Sequence, residues 1–264
     1  MKKSITTVFF LASLFLVSTS SFAQTSSLKK VAPDGKNLFK VNLTAIPLNN
    51  YSFIYERAIG KKIAVGLGFR FMPKGNIPLL SKLESTIDDP ETFDQLKNFQ
   101  TGNIAITPEV KFYFGKGVFR GFYIAPFVRY AQFNGNVPFN FEYDDDGNPA
   151  TADVSSKIDL DGKVTAITGG LLLGSQWKLS KLMYLNWEIL GPAYGSSNGS
   201  ITGTSSLLSN SQAREGLAEE LKGLEDGSIP LVKITTAVSD KEARADFSGP
   251  WAGVRASIGL GFRF

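Results

Sequence analysis

Neither cysteine nor histidine occurs among the 264 residues of the chain. The absence of cysteine excludes disulfides, thiol chemistry and a lipid-modified N-terminal cysteine. The absence of histidine excludes Ser-His-Asp and Cys-His catalysis, together with most zinc sites. We therefore expect a protein that is not an enzyme and that carries no cofactor.

Long hydrophobic runs are also scarce, since only residues 8–17 near the N-terminus form one. Lys2 and Lys3 precede this run, and Ser21 and Ala23 offer small residues at the positions that a signal peptidase reads. A membrane anchor would need roughly 20 apolar residues, so the run favours a cleaved signal peptide. We assign residues 1–23 to the signal peptide and 24–36 to an N-terminal tail, and expect strands to make any membrane crossing in 37–264.

Acidic residues are unevenly placed along the chain, although its formal net charge is +4. Most of the 24 acidic residues lie in three segments, 73–102, 134–162 and 195–250. The remaining segments are correspondingly basic. This is a separation of charge between two ends of a molecule rather than one basic face, so we expect no binding to nucleic acid.

Eight segments alternate between apolar and small or polar residues with a period of two, which is typical of half-buried β-strands. In the last segment, Val254, Ile258 and Phe262 share one face, whereas Arg255 and the glycines share the other. Most of these segments have the length that a tilted strand needs to cross a membrane. They cover about 37–45, 51–59, 62–72, 103–114, 121–133, 163–179, 183–194 and 251–264.

The connections between these segments are sorted by length. Tight turns fall at 60–61, 115–117 and 180–182, whereas the three long segments alternate with them. This pattern predicts a transmembrane up-and-down antiparallel β-barrel of eight strands, with both ends of the chain on one side. Ten strands would result if 201–209 and 229–238 also crossed. A soluble lipocalin-like barrel is the other alternative, and its apolar side chains would point inward.

The long segments themselves carry weaker patterns. Leucines at helical spacing predict a short amphipathic helix over Ser211–Asp226, and similar pieces lie around 79–87 and 90–99. The Gly/Ser/Thr/Asn-rich stretch 196–211 is expected to be mobile. Aromatic residues near strand ends, Trp177, Trp187 and Trp251 among them, are expected in aromatic girdles.

Charged residues on the less apolar face would line the barrel interior, where isolated charges are costly. We expect them to form an ion-pair network; a gated ion path and a Glu56–Glu109 acid–base pair are the alternatives. The members of the predicted lumen network are Glu56, Arg70, Glu109, Lys111, Arg129, Glu188 and Arg255.

Three consecutive carboxylates, Asp144, Asp145 and Asp146, precede Gly147 and suggest a loop for a hard cation such as Ca²⁺. The spacing departs from the EF-hand, because Ser155 stands where its twelfth residue, a glutamate, would be. A polar hairpin tip is the simpler interpretation, and no metal site is assigned.

The strand ending in Phe262 and Phe264 resembles the closing strand of bacterial outer-membrane β-barrels, in which a terminal aromatic residue is the assembly signal. The run KVNLTAIPLNNYSFIYERAIGKKIAVGLGFRF (40–71) is similar to uncharacterised Bacteroidetes barrel proteins of OmpA-like architecture. The resemblance implies the outer membrane, with the barrel-assembly machinery, membrane lipid and lipopolysaccharide as partners. It implies no activity. We expect a scaffold whose long acidic extracellular loops contact a surface ligand or protein partner; the alternative is a narrow channel or transporter for ions or small solutes.

Overall fold

A computed structural model describes residues 35–82, 93, 96–143, 154–226 and 231–264. The proposed signal peptide, most of the tail and Asp144–Asp146 lie outside the described residues. Strand bounds are β1 (Asn37–Asn42), β2 (Tyr51–Ala58), β3 (Ile63–Asn76), β4 (Gln100–Tyr113), β5 (Gly121–Tyr143), β6 (Val154–Lys178), β7 (Met183–Thr204), β8 (Lys233–Val238) and β9 (Glu242–Arg263). Helix α1 covers Ser211–Asp226, and 3-10 turns cover Ile46–Leu48, Leu80–Lys82 and Ser206–Ser209.

Eight of the strands close into a ring of antiparallel neighbours. The order is β1-β2-β3-β4-β5-β6-β7-β9, and β9 pairs back onto β1, for example Val41 with Leu260. The predicted eight-stranded barrel is confirmed. The ten-strand alternative is wrong, because β7 runs through Thr204 and β8 pairs only with β9.

The outer wall of the ring is apolar, as the period-two pattern predicts. On β2, Tyr51, Phe53 and Tyr55 are exposed, whereas the alternate residues Ile54 and Glu56 are buried. Similar exposed side chains continue around the wall on the other strands. A soluble ligand-binding barrel would show the reverse arrangement. The chain is therefore a transmembrane β-barrel, because only hydrocarbon can satisfy so continuous an apolar belt.

The two rims of the barrel differ. We call one the short-turn end; it holds the turns at 59–62, 114–120 and 179–182, the start of β1 and the end of β9. The opposite rim is the long-loop end. There β1 and β2 are joined by residues 43–50 only, whereas β5, β6, β7 and β9 contain 22 to 25 residues each and extend beyond the apolar belt. The stretch 196–211 is mostly strand and a 3-10 turn, because its polar residues pair with β6 and β9.

The strand extensions and helix α1 form a second core, which we call the head cluster. Leu217 and Leu221, one helical turn apart, are buried against Phe141 and Ile158 of the extended β5 and β6. Gly216 lets the helix approach β5, because a Cβ there would lie 2.7 Å from the Glu142 carbonyl oxygen. The helix has the predicted bounds. None of the described helices is long and apolar enough to cross a membrane.

Candidate functional site in the barrel lumen

The short-turn end of the lumen is filled by an aromatic plug, defined here as Tyr113, Phe119, Tyr123, Tyr184 and Leu38. All five side chains are buried. The ring centroids of Tyr113 and Tyr123 lie 5.4 Å apart, and Phe119 meets Tyr184 edge-on at 6.4 Å. At this end the lumen is therefore aromatic rather than charged. Aromatic rings fill a narrow lumen here because they supply large volume with a polar tip that can still hydrogen-bond.

Phe119 enters the plug from the turn between β4 and β5. Its φ of 65° is left-handed, a conformation that costs a non-glycine residue roughly 1–2 kcal/mol. The cost is offset by complete burial of the ring, worth about 1.5–3 kcal/mol. The turn closes tightly, since a Cβ on Gly115 would lie 2.1 Å from the Arg120 carbonyl oxygen. The turn between β4 and β5 thus closes the short-turn end of the lumen.

A continuous chain of ion pairs lies next to the plug. Glu56 on β2 pairs with Lys40 on β1 and with Lys111 on β4, where the Nζ–Oε1 distance is 2.7 Å. Lys111 also lies 3.3 Å from Oε1 of Glu109. The ammonium of Lys111 sits 4.1 Å from the centroid of the Tyr123 ring, so the chain stacks directly on the plug. Each of these charges is fully or almost fully buried.

The chain continues through Arg255 on β9. Its guanidinium donates to Glu109 Oε2 and to Glu188 Oε1, both at 3.0 Å. The second oxygen of Glu188 accepts from the Ser257 hydroxyl at 3.0 Å. Arg255 lies over the Phe127 ring, 4.6 Å from its centroid. Three carboxylates thus alternate with three cations across the barrel, which is the arrangement that makes buried charges tolerable.

Small residues on the neighbouring strands make room for these side chains. A Cβ on Gly66 would lie 2.9 Å from Cγ of Glu109, and one on Gly174 would lie 2.4 Å from the Tyr123 ring. Asn186, which lies beside the chain, is hydrogen-bonded to it as well. Asn186 Oδ1 accepts from Tyr123 at 3.1 Å and from Lys40 at 3.3 Å. The lumen is therefore a packed interior rather than an open bore, as expected for eight strands.

Arg70 and Arg129 also point into the lumen, at the long-loop side of the ion-pair chain. Neither forms an ion pair with a carboxylate in the part of the chain that the structure describes, contrary to the predicted network. Arg129 Nε donates to the Thr107 hydroxyl at 3.1 Å, which takes the place of a charged partner. Both arginines line a cavity of about 210 Å³, together with Arg255 and Glu188.

Phe133 and Trp251 meet above this cavity. Their ring centroids are 5.2 Å apart, although they stand on β5 and β9, which are not neighbours in the ring. Trp251 therefore points into the lumen instead of belonging to an outer aromatic girdle. Trp177 and Trp187 do face outward near the short-turn end, stacked at 6.3 Å.

The remaining sequence predictions fall outside the lumen. Phe262 and Phe264 are exposed on the outer wall at the short-turn end. The Asp144–Asp146 loop lies outside the described residues. Among the residues that are described, no group of three or more acidic side chains is placed to hold a metal ion. At the long-loop end, Asp161 accepts hydrogen bonds from Lys74 and Asn136, which lower the pKa of its carboxyl.

Lys40 is the functional residue that the sequence analysis missed. It precedes Val41 and follows Phe39, and the parity of β1 turns it inward beside Leu38. The alternation in β1 could have revealed it, but only six residues of that strand are regular.

Comparison with known proteins does not identify a family for this chain. No family model and no curated protein matches the chain. Among solved structures, it is similar to the N-terminal β-barrel domain of Pseudomonas aeruginosa OprF, with 7% identity, 88% of this chain and 99% of that chain covered, and a TM-score of 0.24. It is also similar to a Pseudomonas aeruginosa FadL homologue, with 10% identity, 81% and 78% covered, and a TM-score of 0.32. Likenesses of this size carry no information on function.

Proposed function

We propose that this protein is a non-enzymatic scaffold of the bacterial outer membrane, with a small OmpA-like barrel whose lumen does not conduct. The short-turn end faces the periplasm. The long-loop end, with its acidic segments and the head cluster, faces the outside and contacts a surface ligand or a protein partner.

The observation that carries this proposal is the filling of the lumen by two successive layers. The aromatic plug occupies the short-turn end, and the ion-pair chain from Lys40 to Glu188 crosses the barrel next to it. A conducting path would need water and mobile charge at this level. Here the charges are held by one another, and breaking one buried pair costs about 3–5 kcal/mol.

The ordered head supports a binding role rather than transport. Extension of four strands and burial of helix α1 give the outer part its own apolar core. A rigid surface of this kind can present side chains to a partner without the entropic cost of ordering a loop. A packed head of this kind would not assist transport, because the lumen is closed at the opposite rim.

Planar-bilayer recording on the purified full-length protein tests the closed lumen. We expect no steady conductance above the bare membrane, measured beside a general porin in the same lipid. Swelling assays with small sugars should likewise show no permeation. Steady nanosiemens steps would refute the scaffold and favour the narrow channel.

Protease treatment of whole cells tests the orientation. Cleavage within 195–250 and protection of the turns at 114–120 and 179–182 are expected. Cleavage of those turns in intact cells, with 195–250 protected, would reverse the assignment.

We further propose that Phe262 and Phe264 engage the barrel-assembly machinery, as the terminal strand's resemblance implies. Phe262 on β9 and Phe264 directly after it are both exposed, which leaves their rings available before the barrel closes onto β1. Phe264→Ala should lower the amount of folded protein in the membrane without changing the stability of what is assembled. Phe114→Ala, which removes another exposed ring at the same rim, is the matched control.

A further inference from the structure

We propose that the cavity under the rim formed by residues 43–50 is a binding site for a phosphate oxyanion, held by Arg70 and Arg129 with Arg255 behind them. The phosphate belongs either to a lipid headgroup or to free inorganic phosphate. This inference goes beyond the scaffold function, since it assigns a ligand to a cavity inside the lumen.

The charge balance around the cavity calls for an anion. Arg70, Arg129 and Arg255 line it, and Glu188 is the only carboxylate among the described lining residues. Both oxygens of Glu188 are already engaged, one by Arg255 and one by Ser257. Two positive charges in a half-buried lumen are therefore left without a counter-charge, a state that a bound anion relieves.

The geometry of the donors suits a phosphate group. Arg70 and Arg129 project from β3 and β5, on either side of β4, where Thr107 fixes the Nε of Arg129. Among the described residues, no side chain accepts a hydrogen bond from the outer N–H groups of either guanidinium. Two such groups can bind the oxygens of one phosphate. Gly68 and Ser52 also line the cavity, and their small side chains leave room beside the two arginines.

The size of the cavity restricts the ligand to a small group. At about 210 Å³ it has room for roughly seven water molecules, taking about 30 Å³ for each. That is below the usual range for sites of whole small molecules. A phosphate with a few waters fits, whereas a sugar or nucleotide would have to leave most of its surface outside.

The position of the cavity explains how a lipid phosphate could reach it. Arg70 is paired in register with Ser52, the second residue of β2, so it lies at the level of the low rim. Leu43, Ile46 and Leu48 on the connecting segment are exposed and apolar, as expected for a rim that touches lipid. Headgroup phosphates of the outer leaflet would lie at this height.

The test compares the wild-type chain with the double variant Arg70→Gln/Arg129→Gln. Lys222→Gln, which removes a charge on the exposed face of α1, is the control. Calorimetric titration of the detergent-solubilised protein with inorganic phosphate, at constant ionic strength, forms the first arm. Native mass spectrometry of protein taken from phosphatidylcholine vesicles containing phosphatidic acid forms the second. Heat-modifiable gel migration checks that each variant is folded.

Saturable phosphate binding that the double variant weakens about tenfold or more, with Lys222→Gln unchanged, assigns the site to free phosphate. Retention of phosphatidic acid that the double variant loses, without saturable phosphate binding, assigns it to a lipid headgroup. Binding in neither arm overturns the proposal, and so does equal binding by the folded double variant.

Discussion

Removal of the Glu109 charge should strongly destabilise the barrel. Glu109 lies between two cations, with Oε2 3.0 Å from Arg255 and Oε1 3.3 Å from Lys111. Glu109→Gln keeps the volume but leaves both cations with one carboxylate each. Because breaking a buried ion pair costs about 3–5 kcal/mol, we expect the free energy of unfolding to fall by that amount.

A second variant distinguishes loss of charge balance from loss of packing. Glu109→Gln/Lys111→Met removes one anion and one cation, so Glu56 retains Lys40 and Arg255 retains Glu188. The double variant should recover part of the lost stability, since a buried pair replaced by apolar volume is often nearly neutral. Asp161→Asn, which breaks an exposed pair with Lys74, is the control and should cost less than about 1 kcal/mol.

The assay is equilibrium urea unfolding of protein in lipid vesicles, followed by tryptophan fluorescence and extrapolated linearly to zero urea. The reasoning is refuted if Glu109→Gln costs no more than Asp161→Asn. It is also refuted if the double variant is less stable than the single one, because the ion-pair chain would then not act through charge.

Four further predictions concern the plug, the head cluster, the outer wall and the long-loop rim. Phe119→Ala should lower the free energy of unfolding by about 3–5 kcal/mol, whereas Phe114→Ala in the same turn should cost far less; equal costs in urea unfolding would contradict the plug. Leu217→Asp should open the head to limited proteolysis while the barrel stays heat-modifiable, and Lys222→Asp should leave the digestion pattern unchanged. In single-tryptophan variants, brominated lipid should quench Trp177 and Trp187 but spare Trp251, and quenching of Trp251 would place it on the outer wall. Hydrogen bonds from Lys74 and Asn136 lower the pKa of Asp161 in the folded protein. The stability that they add is therefore present above pH ~3.9, and it is lost as the pH falls through the lower pKa of the folded state. An NMR titration in which Asn136→Ala leaves the pKa of Asp161 unchanged would exclude the Asn136 hydrogen bond as a cause.

The strands were predictable because their information is local. Alternation along β2 and β3 places Phe53 and Phe69 outside and Glu56 and Gly66 inside, whatever the neighbouring strand does. The extension of β5 was predictable as well, because Phe139, Phe141 and Tyr143 alternate beyond the apolar belt. The extension of β7 was not, because it runs through polar residues whose strand conformation depends on pairing with β6 and β9.

In the lumen, too, local sequence determines some features and tertiary structure determines others. Sequence parity predicted that Glu109, Lys111 and Arg255 point inward, but it could not say which charges meet. Glu109 and Arg255 are 146 residues apart and come together only because the ring closes β9 onto β1. Arg70 and Arg129 have the same parity and type, yet they stand at a level of the lumen where no free carboxylate is present.

The order of residues by itself determined a closed antiparallel barrel with an apolar outer wall, because a period of two and the sorting of turn lengths act over a few residues at a time. Only the tertiary structure decided that Phe119 stops one end, that Lys40 joins the charged chain and that two arginines are left facing a cavity. Those contacts depend on strand tilt, stagger and closure, which decide which side chains lie at the same level of the lumen. The sequence of a single strand does not contain this information.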